Sequence, residues 1–392
     1  MVLTPLKIPN TVFNANEETE LLFNLKISSN CNNEVYPIPE PPACKECKKL
    51  ICKPLKDIGI DTNEINKKST QKQLGAGGMN IVYDASYDDK KLALRLTKSF
   101  DHEIIKLEQI GLLYQAKLSK SKTDGGLECP YIAKVFDFGL YENMNNISLP
   151  MKGVYGLLEK LPIDLLDRML SGTNFEEGDL IIMIKQLLQA LSCMHNNNIY
   201  HFDIKPENIM MCDKGNQNIK LIDFGLCYTY NGEKTTNNKL TRRRGTPIYF
   251  SPGFYFRNKK LVEDRPYPID DLWSVAVSMC IIFTGGYDLL VNFLPQTTWQ
   301  DDNFVAILDN NKITSPDGSY INENGVKYSK QCIDFIKRIF LTVDNNKKSP
   351  TDTFTSLTAD ELLNDPWFRT RGGKRKSHKF RGKTNKKTRS KK

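Results

Sequence analysis

"YHFDIKPENIMM" (Tyr200–Met211) is the stretch on which the reading of this chain turns. It sets Asp203, Lys205 and Asn208 in one loop, and Asp223 follows in "LIDFG" (Leu221–Gly225). A carboxylate can accept a hydroxyl proton, and an ammonium can steady a phosphate. An amide oxygen and a second carboxylate are hard ligands suited to Mg²⁺. Together these are the parts that phosphoryl transfer requires.

The pattern on either side of the loop is that of a two-part α+β chain. "DLIIMIKQLLQALSCMHNN" (Asp179–Asn197) runs into the loop with apolar residues at helical spacing. Further helical patterns continue to Trp367. Upstream, "QKQLGAGGMNIVYDASY" (Gln71–Tyr87) and "KKLALRLTKS" (Lys90–Ser99) predict three short antiparallel strands. A helix is expected over "FDHEIIKLEQIGLLYQAKL" (Phe100–Leu118), with Ile104, Leu107, Leu112 and Leu113 near one face. "YIAKVFDFGLY" (Tyr131–Tyr141) and "GVYGLLEKL" (Gly153–Leu161) predict two more strands. The expected division is an extension over 1–68, a sheet-rich lobe over 69–160, a larger helical lobe over 161–368 and a basic tail over 369–392.

The loop and the later Asp-Phe-Gly resemble the catalytic loop and metal-binding motif of eukaryotic protein kinases, serine/threonine class. The resemblance covers about Gln71 to Phe368. It implies the two-lobed kinase fold and an enzyme that moves the γ-phosphate of ATP to protein Ser/Thr hydroxyls. In it Asp203 is the catalytic base, Lys205 the phosphate-facing cation, and Asn208 and Asp223 the Mg²⁺ ligands. "LGAGGMNIVYD" (Leu74–Asp84) resembles the glycine-rich loop, so Gly75, Gly77, Gly78 and Val82 would meet ATP, although Asn80 stands at the third glycine position. "GLLEKL" (Gly156–Leu161) resembles the hinge, with Leu158 as gatekeeper and Glu159 opening the segment that meets adenine through its backbone. "GTPIYFSP" (Gly245–Pro252) resembles the substrate-receiving segment. In "DDLWSVAVSMCIIFTGGYD" (Asp270–Asp288), Asp271 corresponds to the residue that tethers the catalytic loop. Lys205 and Thr246 favour serine/threonine specificity by the same resemblance.

Three departures from the pattern stand out. "LALR" (Leu92–Arg95) puts Arg95 where the family has its phosphate-binding lysine; arginine is cationic but bulkier and not an equivalent. Its helix partner is expected to be Glu108, with Glu103 as the alternative, and Lys91 or Lys98 as substitute cations. This departure leaves a second class open, a pseudokinase or nucleotide-binding scaffold. Phe202 replaces the arginine of regulated kinases, so activity is expected not to depend on phosphorylation of Thr235, Thr236 or Thr241, beside Arg242–Arg244. Finally, Gly253 and Ser356 stand where the family has a buried Glu–Arg pair. Loss of both partners is nearly neutral, whereas loss of one strands a charge at a cost of roughly 3–5 kcal/mol.

The net charge of +9 is local: residues 371–392 carry 12 Lys/Arg and no acid, leaving 43 basic against 46 acidic residues elsewhere. The tail is either a soluble polycation or a contact for nucleic acid or another acidic surface. The ten cysteines are mostly scattered, as buried thiols of a reducing compartment would be. Cys31, Cys44, Cys47 and Cys52 form a cluster that either binds Zn²⁺ or stays as thiols. The start "MVLTPLKIPN" has no apolar signal core, and "LWSVAVSMCIIF" (Leu272–Phe283) is too short to span a bilayer. An intracellular location, cytoplasm or nucleus, is expected. The Asn/Lys/Ile-rich style and the Lys/Arg terminus opening on Gly372–Gly373 also resemble kinases of large DNA viruses, which would mean virion or host cytoplasm. A second Asp-Phe-Gly, Asp137–Gly139, lies 66 residues before Asp203. It is expected in a strand-and-turn setting away from any metal.

Overall fold

The computed structural model describes residues 53–54, 73–87, 90–98, 102–142, 152–213, 217–229, 245–251, 268–284, 317–322, 324–346 and 357–369. Its first part is a six-stranded sheet: β1 (Lys53–Pro54), β2 (Gln73–Ala76), β3 (Asn80–Tyr87), β4 (Lys90–Thr97), β5 (Val135–Glu142) and β6 (Lys152–Glu159). The order is β1-β5-β6-β4-β3-β2, antiparallel except where β1 pairs in parallel with Tyr141 and Glu142. Pro54 thus sits on an edge strand, where a missing N–H is tolerated. Alternation along β4 explains the two faces. Leu92, Leu94 and Leu96 join Tyr83, Ala85, Tyr141, Tyr155 and Leu157 in one buried cluster. On the opposite face α1 (His102–Ser119) lays Leu112, Leu113 and Ala116 against Phe138, Leu140 and Val154.

The second part is helical. Between β7 (Ile163–Asp164) and β8 (Ile199–Tyr200) lie α2 (Leu165–Leu170) and α3 (Glu177–Asn196). On α3 the buried residues Leu180, Met183, Ile184, Leu187, Leu188, Leu191 and Met194 recur at three- and four-residue steps, the signature of a helix facing a core. α4 (Pro268–Thr284) is apolar all round from Leu272 to Phe283 and runs through the centre of that core, interrupted only by serines. The hydroxyls of Ser274 and Ser278 bond back to the carbonyls of Asp270 and Ser274 four residues earlier. α5 (Lys330–Asn346) and α6 (Ala359–Leu363) close the core. Glu177 ties the ends together by accepting hydrogen bonds from Ser329 and from the indole of the fully buried Trp367. Among the described residues no helix is long and apolar enough to cross a membrane.

Two findings differ from the sequence reading. Cys129 and Cys193 form a disulfide joining the segment after α1 to α3, with 5.7 Å between Cα atoms. They are 64 residues apart, so no local spacing announces them. Cys212, Cys227, Cys280 and Cys332 stay as thiols, and Cys31, Cys44, Cys47 and Cys52 lie outside the described residues. Gly139, expected in a turn, lies inside β5 opposite Tyr155, where a Cβ would stand 3.1 Å from that ring. Its neighbour Asp137 accepts a 2.8 Å hydrogen bond from the Tyr155 hydroxyl. Burial first, and the Asp137 charge second, push that phenol well above its usual pKa.

Asp137 is therefore expected to act on stability. Asp137→Ala leaves the buried Tyr155 hydroxyl without this acceptor, at about 1 kcal/mol and a fall in Tm of about 2–4 °C. Thermal unfolding should register that fall.

Candidate active site

The loop carrying Asp203 follows β8, and Asp271 at the start of α4 holds it in place. Its carboxylate accepts from the backbone N–H groups of His201 at 2.9 Å and Phe202 at 2.8 Å, and sits 2.9 Å from His195 Nε2. Burial opposes this charge, but the hydrogen bond and charge of His195 outweigh it and hold the carboxyl below its usual range. The tether holds an unusual turn, with Phe202 at φ of 61°; Asp223, in the later segment, has φ of 62°. A bulky residue in the left-handed region is strained, and such strain gathers at functional sites. The ring of Phe202 packs with Tyr200, Tyr228 and Phe250 in a small apolar cluster.

Asp203 is 6% exposed and fully engaged. Oδ1 accepts from the Thr246 hydroxyl at 2.8 Å, and Oδ2 from Asn208 Nδ2 at 2.9 Å and Lys205 Nζ at 2.9 Å. Lys205 also donates to Thr246 Oγ1 at 2.9 Å, closing a triangle. His201 is fully buried; its Nε2 faces the Ile222 carbonyl at 3.0 Å, which makes Nε2 the protonated nitrogen and leaves Nδ1 to accept from Asp203 N. The same ring packs edge-on to Phe224 at 4.9 Å. The segments carrying Asp203 and Asp223 are thus fixed to one another through His201.

Arg95 lies on the helix face of the central strand β4, between Val82 and Gly156. One guanidinium nitrogen donates to Glu108 Oε1 at 2.9 Å and to Asp223 Oδ1 at 2.8 Å. Glu108 is therefore the helix partner of Arg95. Burial raises the cost of charge on Asp223, but the charge and hydrogen bond of Arg95 overcome it and hold the carboxyl below its usual range. Glu108 Oε1 also accepts from Asn80 Nδ2 at 2.6 Å. Gly225 makes room for this convergence, since a Cβ there would stand 2.9 Å from Glu108 Oε1. Gly111 of α1 does the same for the backbone: a Cβ there would collide with the carbonyl of Phe224. Lys98, an alternative cation by sequence, donates instead to the Gly77 carbonyl at 2.7 Å.

The remaining candidates lie on β2, β3 and β6 and in the turn between β2 and β3. Gly75, Gly77 and Gly78 have no positive φ, and a Cβ on any of them would meet nothing closer than 4.0 Å. Their missing side chains leave the loop's backbone open to a ligand, the condition for an N–H cradle around phosphates. Val82 faces Arg95 and Gly75 across the ladder, and Leu158 is half-buried beside the Leu112 cluster. The N–H of Glu159 is committed to the Lys134 carbonyl, and its carboxylate takes two hydrogen bonds from Lys220 at 2.5 and 2.7 Å. For a cation, Asp223 and Asn208 offer a charged carboxylate and an amide, a donor set that fits Mg²⁺. Among the described residues no group of three His, Cys, Asp or Glu side chains could hold another metal. Asn80, His195 and Gly111 were not singled out as site residues in the sequence. The only hints were an asparagine at a glycine position and a glycine inside a helix.

Comparison with known proteins gives one family match, the protein kinase domain, over residues 69–368. Calcium-dependent protein kinase 3 of Plasmodium berghei is 29% identical over 54% of this chain and 32% of its own length. Human death-associated protein kinase 2 is 28% identical over 58% of this chain and 52% of its own. The probable serine/threonine-protein kinase mkcD of Dictyostelium discoideum is 29% identical over 57% and 31%. The chain therefore matches from about a third to a half of the length of these relatives.

Loss of the Asp271 carboxylate should loosen the whole site. Asp271→Ala leaves two buried N–H groups without their acceptor, at about 3 kcal/mol and a Tm lowered by roughly 6–12 °C. Because its carboxyl is depressed in the fold, the stability it contributes is present above the ordinary carboxylate range. That contribution fades as pH falls through the folded-state value. A pH series of unfolding curves should show a steeper acid loss for wild type than for Asp271→Asn.

Proposed function

The chain belongs to the protein kinase family, and on that premise we propose that it is an active kinase for protein serine and threonine hydroxyls, using ATP and Mg²⁺. The observation that carries this is the closed set of bonds around Asp203, with Lys205, Asn208 and Thr246 all directed at one carboxylate. Asp203 would orient the incoming hydroxyl and accept its proton. Lys205, 2.9 Å away, would face the phosphoryl oxygens while shielding the Asp203 charge. Asn208 and Asp223 would hold the metal, and Arg95 would reach the phosphates beneath Gly75, Gly77 and Gly78. Val82, Leu158 and Glu159 would border the base. Bound ATP with Mg²⁺ supplies the transferable group and neutralises its charge.

A pseudokinase reading has one observation in its favour: the bond from Arg95 to Asp223, which occupies a metal ligand. Against it stands the retention of every base, metal and cation position around Asp203. We also propose that the activation segment is held by apolar contact. Phe202 packs with Tyr228 and Phe250 where a phosphate-binding arginine would stand. Thr235, Thr236, Thr241 and Arg242–Arg244 lie outside the described residues, as do Gly253 and Ser356. Lys53 and Pro54 of the 1–68 extension pair with β5 at the sheet edge, and the basic tail over 369–392 would meet nucleic acid or another acidic surface in an intracellular setting.

Radiolabelled ATP with a generic basic protein tests the main reading. Asp203→Asn should lower transfer by about 10²–10⁴-fold, and Asp223→Ala should abolish it. Equal signal in wild type and Asp203→Asn would sink the assignment. Arg95→Ala should impair activity by about 10²-fold, whereas Arg95→Lys should preserve or raise it. Alanine at Thr235, Thr236 and Thr241 together should leave activity within about twofold, the size of effect left when no phosphate there is needed. A collapse there would mean that phosphorylation controls the segment.

A further inference from the structure

We propose that Lys220 is a positioning residue: through Glu159 it braces the hinge against the strand that leads to Asp223. Lys220 is the middle residue of β10 (Ile219–Leu221), which pairs antiparallel with β9 (Ile209–Met211), and Asp223 follows it by three positions. Its ammonium gives each oxygen of Glu159 a hydrogen bond, at 2.5 and 2.7 Å. The two side chains are 22% and 25% exposed, so the pair is screened less than a surface pair. Glu159 is itself held by Lys134. Its N–H donates to the Lys134 carbonyl at 2.9 Å, and Lys134 N donates back to Glu159 Oε2 at 3.0 Å. The residues before Lys134 are tied to β10 in turn. Leu221 N donates to the Tyr131 carbonyl at 2.8 Å, and Ala133 N to the Leu221 carbonyl at 3.1 Å. Hinge, segment 131–134 and β10 thus form a closed triangle, and its third side, the Lys220–Glu159 pair, is made of side chains alone.

The corners of this triangle serve different parts of one ligand. On the kinase reading, on which this inference rests, the hinge meets the base and Asp223 meets the metal at the phosphates. A ligand that spans two sites binds best when the distance between them is already set, since no free energy then goes into bringing them together. A ligand that touches one site gains nothing from that distance. Without Lys220 two sides of the triangle remain, so the hinge stays attached and the fold is kept, while the hinge gains play relative to Asp223. The next hinge residue is tied elsewhere. Lys160 pairs with Asp84 at 2.6 Å, on the same strand as Val82, which borders the base on the same reading. Loss of that pair acts on any ligand that carries the base, whether or not it reaches the metal.

Calorimetric titration of the full chain with Mg·ATP and with adenosine tests it, after thermal unfolding confirms that each variant folds. Lys220→Met and Glu159→Gln, which keeps an acceptor for Lys134 N, should each weaken Mg·ATP binding about fivefold, the size of one partly buried ion pair. Adenosine binding should change by less than about twofold in both. The double variant should bind Mg·ATP no more weakly than either single variant, because both act through one pair. Lys220→Arg should bind it as wild type does. Lys160→Met should weaken adenosine and Mg·ATP alike. Equal losses for the two ligands in Lys220→Met, additive losses in the double variant, or Mg·ATP binding as tight as or tighter than wild type without Lys220 would each overturn the proposal. A chain that shows the expected pattern but transfers no phosphate would sink the kinase reading and leave Lys220 as assigned. A wild type that binds neither ligand would end both.

Discussion

The buried carboxylate of Asp271 is the constraint on which the site rests. It sits at the first turn of a helix that forms the centre of the large core, and it grips the catalytic loop by two consecutive backbone N–H groups. Holding Phe202 in a left-handed conformation costs about 1–3 kcal/mol. Two bonds to a charged acceptor, at about 1.5–3 kcal/mol each, offset that strain. Rigidity thus passes from the core, through one side chain, to the backbone that aims Asp203. His195 completes the arrangement from α3, so three separate elements meet on one carboxylate.

A second meeting of charges orients the smaller part. Arg95, Glu108 and Asp223 come from a strand, a helix and the metal loop, and none is stabilising in isolation. Taking charges out of water costs about as much as their attraction returns. What the triad supplies is direction: it fixes the helix against the segment that carries Asp223. An arginine can do this from the strand position of a lysine, although only one of its nitrogens bonds both carboxylates here, with no paired fork.

How much of this was legible follows from how local each signal is. Asp203, Lys205 and Asn208 lie within one loop, so chemistry and spacing name them together. Leu92, Leu94 and Leu96 give β4 away by alternation, and the stripe from Leu180 to Met194 does the same for α3. The partner of Arg95 also came through, since Glu108 precedes the buried Leu112 by one helical turn. Contacts made across the fold did not. Nothing near Cys129 points to Cys193, and nothing near Asp137 points to the Tyr155 hydroxyl on the next strand. Asn80 stands at a glycine position, and its bond to Glu108 reaches across 28 positions, which no local pattern shows. The position of Asp137–Gly139 ahead of the Asp203 loop marked it as strand and turn and not as a second copy of the Asp223 motif. What it does instead required the register of β5 on β6.

Gly111 carries a consequence for small-molecule design. A glycine inside a helix costs about 1 kcal/mol against alanine, and here it lets the helix meet the main chain at Phe224 with no side chain between. A wall built of side chains yields to a ligand when one of them changes rotamer. A wall built of backbone against backbone does not, because the whole segment must move. Compounds that gain affinity by wedging between helix and metal loop would find little give at this point. Compounds that stay in the plane of the hinge would not meet it.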